Sequence, residues 1–231
     1  MSHAVLLAGG RGTRLESVSG GLPKPLMEVG GRPFIEHILE NLVNLGCDHV
    51  VIAASYKWEL LHDLLGAKYK GTALDWSIES RPLGTGGAIY QAFKLFELPA
   101  AFVLNADTLF RVNFDELEAR HIASGAAVTV ALRQVPDVGR FGEVVIDDDG
   151  RIVSFSEKGR CGPGLINGGV YLVDNRVWMD GPFTEVFSFE SDYLQQRSKT
   201  AALFGYKSDG YFIDIGVPED LDRARHDLSS S

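Results

Sequence analysis

Two arginines and three glycines fall within Gly9-Gly10-Arg11-Gly12-Thr13-Arg14, directly after the apolar run Ala4–Ala8. Glycine lets backbone N–H groups approach a polyphosphate closely, because no Cβ intervenes. Arginine adds charge and a fork of donors that matches phosphate oxygens. Shortly afterwards Pro23-Lys24-Pro25 holds one lysine on a stiffened backbone, so its ammonium is aimed rather than left to wander. The combination points to chemistry on a phosphate. A dinucleotide fingerprint is not completed, since Leu15 stands where the third glycine belongs, and GxxxxGK[ST] is absent.

Asp107 follows the apolar run Ala101–Leu104, and open α/β sheets hold ligands at such strand ends. A carboxylate there could hold Mg²⁺ against phosphate oxygens, or simply end a strand. Asp214 lies inside the apolar run Phe212-Ile213-Asp214-Ile215. Burying it without a partner would be costly, so a shared cation accounts for both aspartates. Glu157-Lys158 and Asn167-Gly168-Gly169 could face a small polar substrate, or could be turn residues. There is no GxSxG, and the histidines fall on expected helices or element edges rather than beside a nucleophile.

The elements that must position these groups follow from periodicity. Buried strands are expected at Ala4–Ala8, His49–Ala54, Leu74–Ile78 and Ala101–Leu104. Helices are expected from Phe34 to Leu45 with Gly46 just beyond, and at Lys57–Leu65, Ala88–Phe96 and Phe114–Ser124. Arg81–Gly87 reads as a second glycine-rich loop ahead of one of them. Alternating strands and helices imply an α/β fold, a Rossmann-like, mostly parallel sheet flanked by helices. Beyond it, Ala127–Arg133, Gly142–Ile146, Ile152–Phe155 and Gly169–Val173 read as an added antiparallel layer, with Asp148-Asp149-Gly150 as a hairpin turn. Phe189–Gln196 reads as a helix, Ala201–Gly205 as a strand and Pro218–Asp227 as a closing helix. One domain over 1–231 is expected, with an alternating strand–helix half to about residue 125 and the antiparallel half after it.

Bulk properties narrow the partners. A chain of 231 residues with 45% hydrophobic residues can bury a sizeable core. Its net charge of −9 argues against nucleic acid or an anionic membrane as partner, so any anion must be held by a local cluster of donors. Cys47 and Cys161 have no metal-site spacing and suit a reducing compartment. The apolar start is too short for a membrane span, and a cytoplasmic location is expected. Trp178 and Phe183 could pack internally or at the interface of a homo-oligomer.

Leu7-Ala8-Gly9-Gly10-Arg11-Gly12-Thr13-Arg14-Leu15, Pro23-Lys24-Pro25, Asp107, Gly84-Thr85-Gly86-Gly87, Glu157-Lys158, Asn167-Gly168-Gly169 and Asp214 together resemble the sugar-1-phosphate nucleotidyltransferase family over nearly the whole chain. Tyr56–Glu59, Pro82–Ala88, Leu165–Val170 and Ser208–Asp220 look most like its D-glycero-α-D-manno-heptose 1-phosphate guanylyltransferase branch. One departure is Ala106 before Asp107, where the family usually has glycine. The resemblance implies NTP plus sugar 1-phosphate giving NDP-sugar and pyrophosphate, with Mg²⁺ as cofactor. It assigns the nucleotide to Leu7, Gly9, Gly10, Arg11, Gly12, Thr13, Arg81, Gly84 and Thr85. It assigns catalysis to Arg14, Lys24, Asp107 and Lys158, and the metal to Asp107 and Asp214. The sugar phosphate falls to Asn105, Gly142, Glu157, Lys158, Asn167 and Gly168. Glu79 and Arg81 are both candidates for reading the base. Other sugar 1-phosphates with GTP, UTP or dTTP, and a non-catalytic nucleotide-sugar sensor, are the competing readings.

Overall fold

The structure is a computed structural model and describes residues 3–10, 15, 20–155, 161–179 and 183–229. Arg11, Gly12, Thr13, Arg14, Glu157 and Lys158 therefore lie outside the described residues.

Strand β1 (His3–Leu7) alternates its side chains between two hydrophobic clusters, Ala4 and Leu6 entering one and Val5 the other. A strand buried on both faces belongs in the middle of a sheet. It is flanked in parallel by β4 (His49–Ala54) and β7 (Ala100–Asn105), and β4 by β6 (Thr72–Ile78). The short strands β2 (Glu28–Val29) and β3 (Arg32–Pro33) form a separate hairpin, and β5 (Lys68–Tyr69) closes the outer edge of the main sheet.

The antiparallel part continues this same sheet rather than stacking on it. Strand β12 (Gly164–Asp174) pairs antiparallel with β7, and β9 (Val128–Val135) pairs antiparallel with β12. Strand β13 (Leu203–Lys207) adds in parallel, giving the eight-stranded order β13-β9-β12-β7-β1-β4-β6-β5. Two ribbons stand apart, β10 (Val144–Ile146) with β11 (Ile152–Phe155), and β8 (Thr108–Phe110) with β14 (Phe212–Asp214). The apolar run around Asp214 is thus a short strand outside the main sheet.

Helices cover both faces. On one side lie the apolar stripes of α1 (Phe34–Asn44), α2 (Trp58–Leu65), α4 (Phe114–Ser124) and α5 (Pro218–Leu228). On the other lie α3 (Gly84–Leu95) and a π-helical turn at Phe189–Gln195. Helix α3 starts earlier than periodicity suggests, so Gly84-Thr85-Gly86-Gly87 is its first turn rather than a loop before it. Trp178 and Phe183 pack inward in an aromatic group with Phe93 and Phe187, Trp178 meeting Phe183 edge-on at 5.8 Å. Among the described residues no helix is long and apolar enough to cross a membrane.

Two histidines are built into this packing. His37 donates from Nε2 to the Val29 carbonyl at 2.9 Å and accepts from Arg32 at Nδ1, while His121 meets Thr129 Oγ1 at 2.9 Å. Burial lowers both pKa values, helped by Arg32 at His37 and by Arg176 at His121. The unfolded chain therefore binds more protons than the native one once pH falls through the ordinary histidine value of about 6.5. Stability from these groups is complete above that value and lost below it. The thermal midpoint should fall between about pH 7 and about pH 5, and His121→Gln should flatten that slope in calorimetry. Equal slopes in variant and parent would remove His121 as a contributor.

Candidate active site

The parallel strands β1, β4, β6 and β7 all end on one side of the sheet, and their C-terminal ends open into a cleft of about 990 Å³. This is where an open α/β sheet offers backbone amides and loop side chains to a ligand. Leu7–Gly10, the Ile78–Pro82 segment, Thr85, Lys24 and Asp107 are among the residues that line it. A second cavity of about 570 Å³ lies under Gly142, Asn167, Gly168, Asp214 and Glu190. Asn105 lines both, so the two spaces meet at the end of β7.

Local packing explains several of the glycines. A Cβ on Gly9 would stand 2.7 Å from Glu79 Oε1, so the first loop must lack one for Glu79 to lie across it. At α3 the reason differs. Cβ atoms on Gly84, Gly86 and Gly87 would strike the Phe187 carbonyl, the Phe187 ring and the Glu185 carbonyl at 2.4, 2.1 and 2.5 Å. Gly86 N donates to Phe187 O at 3.0 Å, and Phe187 N donates back to Leu83 O at 3.0 Å. The first turn of α3 is therefore clasped by chain 185–187 rather than left open to an anion.

Asn167-Gly168-Gly169 sits at an irregularity of β12. Asn167 pairs with Leu132 and Tyr171 with Val130, so three residues of β12 (Gly168–Val170) lie opposite one of β9 (Ala131). A bulge bends a strand and re-aims its side chains, and here it brings Asn167 to the second cavity. Gly168 admits the Phe110 ring, and Gly169 takes a φ of +71° against Asn105.

The charged groups gather where the cavities meet. Lys24 Nζ donates to Asp107 Oδ2 at 2.7 Å, the two side chains being 18% and 32% exposed. Ile215 N donates to the Asp107 carbonyl at 3.0 Å, which docks β14 onto the end of β7 and draws Asp214 towards Asp107. Burial raises the Asp214 carboxyl above its ordinary range, and the Asp107 charge adds to it, against the Gly216 N–H at 2.7 Å, Lys24 and Arg140. Two hard oxygen donors of like charge in a half-buried crevice fit a divalent cation such as Mg²⁺, which takes one or two carboxylates and fills its shell with substrate oxygens. Ala106 does not crowd this arrangement. Its methyl is fully buried in the core, and its N–H donates to Leu7 O at 3.0 Å.

Sequence reading left Glu79 and Arg81 level, and the geometry separates them. Arg81 is 59% exposed and paired with Glu185 at the rim. Glu79 is buried, accepts from Leu83 N at 2.8 Å and turns its other oxygen to Gly9, with burial raising its carboxyl. Three residues escaped sequence reading. Arg140 lies over the Phe141 ring at 4.4 Å, pairs with Asp220 of α5 and lines the second cavity. Tyr171 and Glu190 line it too; Tyr171, just past Asn167-Gly168-Gly169, reads as a core residue, and Glu190 falls in no motif.

A Rossmann-like sheet with a nucleotide-sized cleft at its carboxyl edge, a lysine–aspartate pair and an adjoining polar cavity has the parts of a nucleotide-dependent transferase. The nucleotidyl transferase family model matches residues 3–231, and the chain belongs to that family. It is 40% identical over 226 residues to a D-glycero-α-D-manno-heptose 1-phosphate guanylyltransferase of Aneurinibacillus thermoaerophilus, covering 98% of each chain. A Campylobacter jejuni protein of the same description is 40% identical over 218 residues, covering 94% of this chain and 96% of its own. The crystal structure of HddC from Yersinia pseudotuberculosis complexed with GMP-PN superposes with a TM-score of 0.88 at 36% identity, covering 99% of this chain and all of that one. Nucleotidyl transferases of this family generally use a divalent metal.

The clasp on α3 is open to test. Gly86→Ala should lower stability by about 1–3 kcal/mol in denaturant titration, as an added methyl in a packed interior does, because the Phe187 ring must move. Unchanged stability would mean that chain 185–187 yields freely.

Proposed function

We propose that this protein transfers GMP from GTP to D-glycero-α-D-manno-heptose 1-phosphate, releasing pyrophosphate and forming the GDP-sugar used for surface polysaccharides. The observation that carries this reading is the Lys24–Asp107 pair at the junction of the two cavities, one sized for a nucleotide and the other for a sugar. Guanine and heptose are supported by the two 40%-identical relatives and by the neighbour bound to GMP-PN. Further support for guanine comes from Glu79. An ionised carboxylate only accepts hydrogen bonds, which suits a base edge presenting N–H donors.

The nucleophile is a phosphate oxygen, already anionic at neutral pH, so no general base is required. It attacks the α-phosphorus, the α–β bridging bond breaks, and pyrophosphate leaves with the electron pair. The protein's task is to hold two polyanions in line and stabilise charge developing at phosphorus. Lys24 leaves Asp107 for the α-phosphate as that charge grows, and Gly9 and Gly10 carry the triphosphate on their backbone. By resemblance Arg14 steadies the departing pyrophosphate together with Arg11, Gly12 and Thr13, and Lys158 grips the sugar phosphate with Glu157 beside it. Asp107 and Asp214 would hold Mg²⁺, which offsets phosphate charge when bound. Asn105, Gly142, Asn167 and Gly168 face the sugar, and Gly84 and Thr85 support the base side. The whole works as one cytoplasmic domain, a reading supported by the single sheet shared by both halves and by two cysteines not joined to each other.

A panel of GTP, ATP, UTP and dTTP against heptose, mannose, glucose and N-acetylmuramic acid 1-phosphates, scored by pyrophosphate release, should give its highest kcat/KM for GTP with the heptose phosphate. Faster turnover of another pair would reassign the substrate, and binding of GDP-sugar without turnover at saturating Mg²⁺ would favour the sensor. Lys24→Ala should lower kcat by about 10²-fold or more, with little change in the KM for GTP, since its contact strengthens only in the transition state. Normal kcat with a raised KM would contradict that role.

A further inference from the structure

Glu190 lies in the π-helical turn and belongs to no motif in the sequence, yet it joins the two cavities. Such turns occur often at functional sites. On the nucleotide side, its Oε2 accepts from Thr85 Oγ1 at 2.5 Å and from Ser188 Oγ at 3.0 Å. Thr85 itself accepts from Phe189 N at 2.8 Å, which fixes its hydroxyl proton towards Glu190. On the other side, Glu190 Oε1 accepts from the Tyr171 hydroxyl at 3.2 Å. Tyr171 is fully buried, and its hydroxyl accepts in turn from Asn167 Nδ2 at 2.8 Å.

The direction of this chain has a consequence for Asn167. Gly169 N donates to Asn167 Oδ1 at 3.0 Å. Flipping the amide would set an N–H against the Gly169 N–H and leave Tyr171, whose own proton is committed to Glu190, facing a second acceptor. Both contacts therefore impose the same orientation. Burial, with the Glu190 carboxylate beside it, holds the Tyr171 phenol well above its ordinary range, so it remains a proton donor at neutral pH.

We propose that Glu190 is a positioning residue: through Tyr171 it orients Asn167 so that the amide presents an N–H donor to an oxygen of the sugar phosphate, and through Thr85 it ties that orientation to the first turn of α3. A substitution at Thr85, on the nucleotide side, should then be felt by the sugar. This rests on reading the second cavity as the sugar site, and the test separates the two ideas.

Steady-state kinetics with GTP and D-glycero-α-D-manno-heptose 1-phosphate should show Tyr171→Phe raising the sugar KM about fivefold or more, with the KM for GTP moving less than about twofold. Thr85→Val should also raise the sugar KM, and Thr85→Ser, which keeps the hydroxyl, should bring it back to within about twofold of the parent. Glu190→Gln keeps the shape but weakens both arms, and should raise the sugar KM without a matching loss of thermal stability. Thr85→Val moving only the KM for GTP, or Tyr171→Phe lowering the melting temperature with an unchanged sugar KM, would overturn the relay while leaving the transferase reading intact. A parent protein that turns over no sugar 1-phosphate would remove both.

Discussion

Two ionised carboxylates in a half-buried crevice need positive charge beside them, and the site is organised around that constraint. Asp107 meets it directly through Lys24 at 2.7 Å. Asp214 meets it only in part, and burial, with the Asp107 charge, raises its carboxyl. Under the proposed function, an added cation and a substrate phosphate exchanging for Asp107 at Lys24 would complete the compensation. Placing these groups requires the end of β7, the 3₁₀ turn at Lys24–Leu26 and the separate strand β14 to converge. With a net charge of −9 on the chain and two aspartates to one lysine at this convergence, a polyanion can be accepted only with added positive charge.

The glycines serve more than one physical purpose. In the first loop, Gly9 leaves room for the Glu79 carboxylate, so that loop and the Ile78–Pro82 segment are packed against each other. Along α3 the glycines instead admit chain 185–187, which carries on into the turn containing Glu190. At β12, Gly168 and Gly169 let a bulge form around Phe110 and Asn105. A glycine-rich stretch thus does not by itself denote a phosphate cradle. Its neighbours in space decide whether it faces a ligand or another part of the chain.

Much of the architecture was legible along the chain. Helix Phe114–Ser124 and strands His49–Ala54 and Ile152–Phe155 have the expected bounds, because their apolar spacing and flanking breakers are local signals. Local signals fail where tertiary contacts define the element. The start of α3 reads as loop because its glycines have poor helix propensity, and packing against Phe187 overrides it. Strand β8 is three residues long and exists through its pairing with β14. The placement of β9 and β12 in the main sheet, rather than above it, is likewise a matter of pairing partners far apart in sequence.

The sequence alone determined the class of chemistry, since glycines with arginines, a lysine between prolines and two aspartates near apolar strands constrain which ligand the chain can hold. It also determined the alternation of elements that brings strand ends to one edge. Only the tertiary structure decided that Lys24 meets Asp107, that Glu79 is buried in the cleft while Arg81 stands exposed at its rim, and that Thr85, Glu190, Tyr171 and Asn167 form one chain of hydrogen bonds. The reason is physical. Residue type fixes what a group can donate or accept, whereas distance and burial, set by packing between remote segments, fix which partner it meets and how strongly.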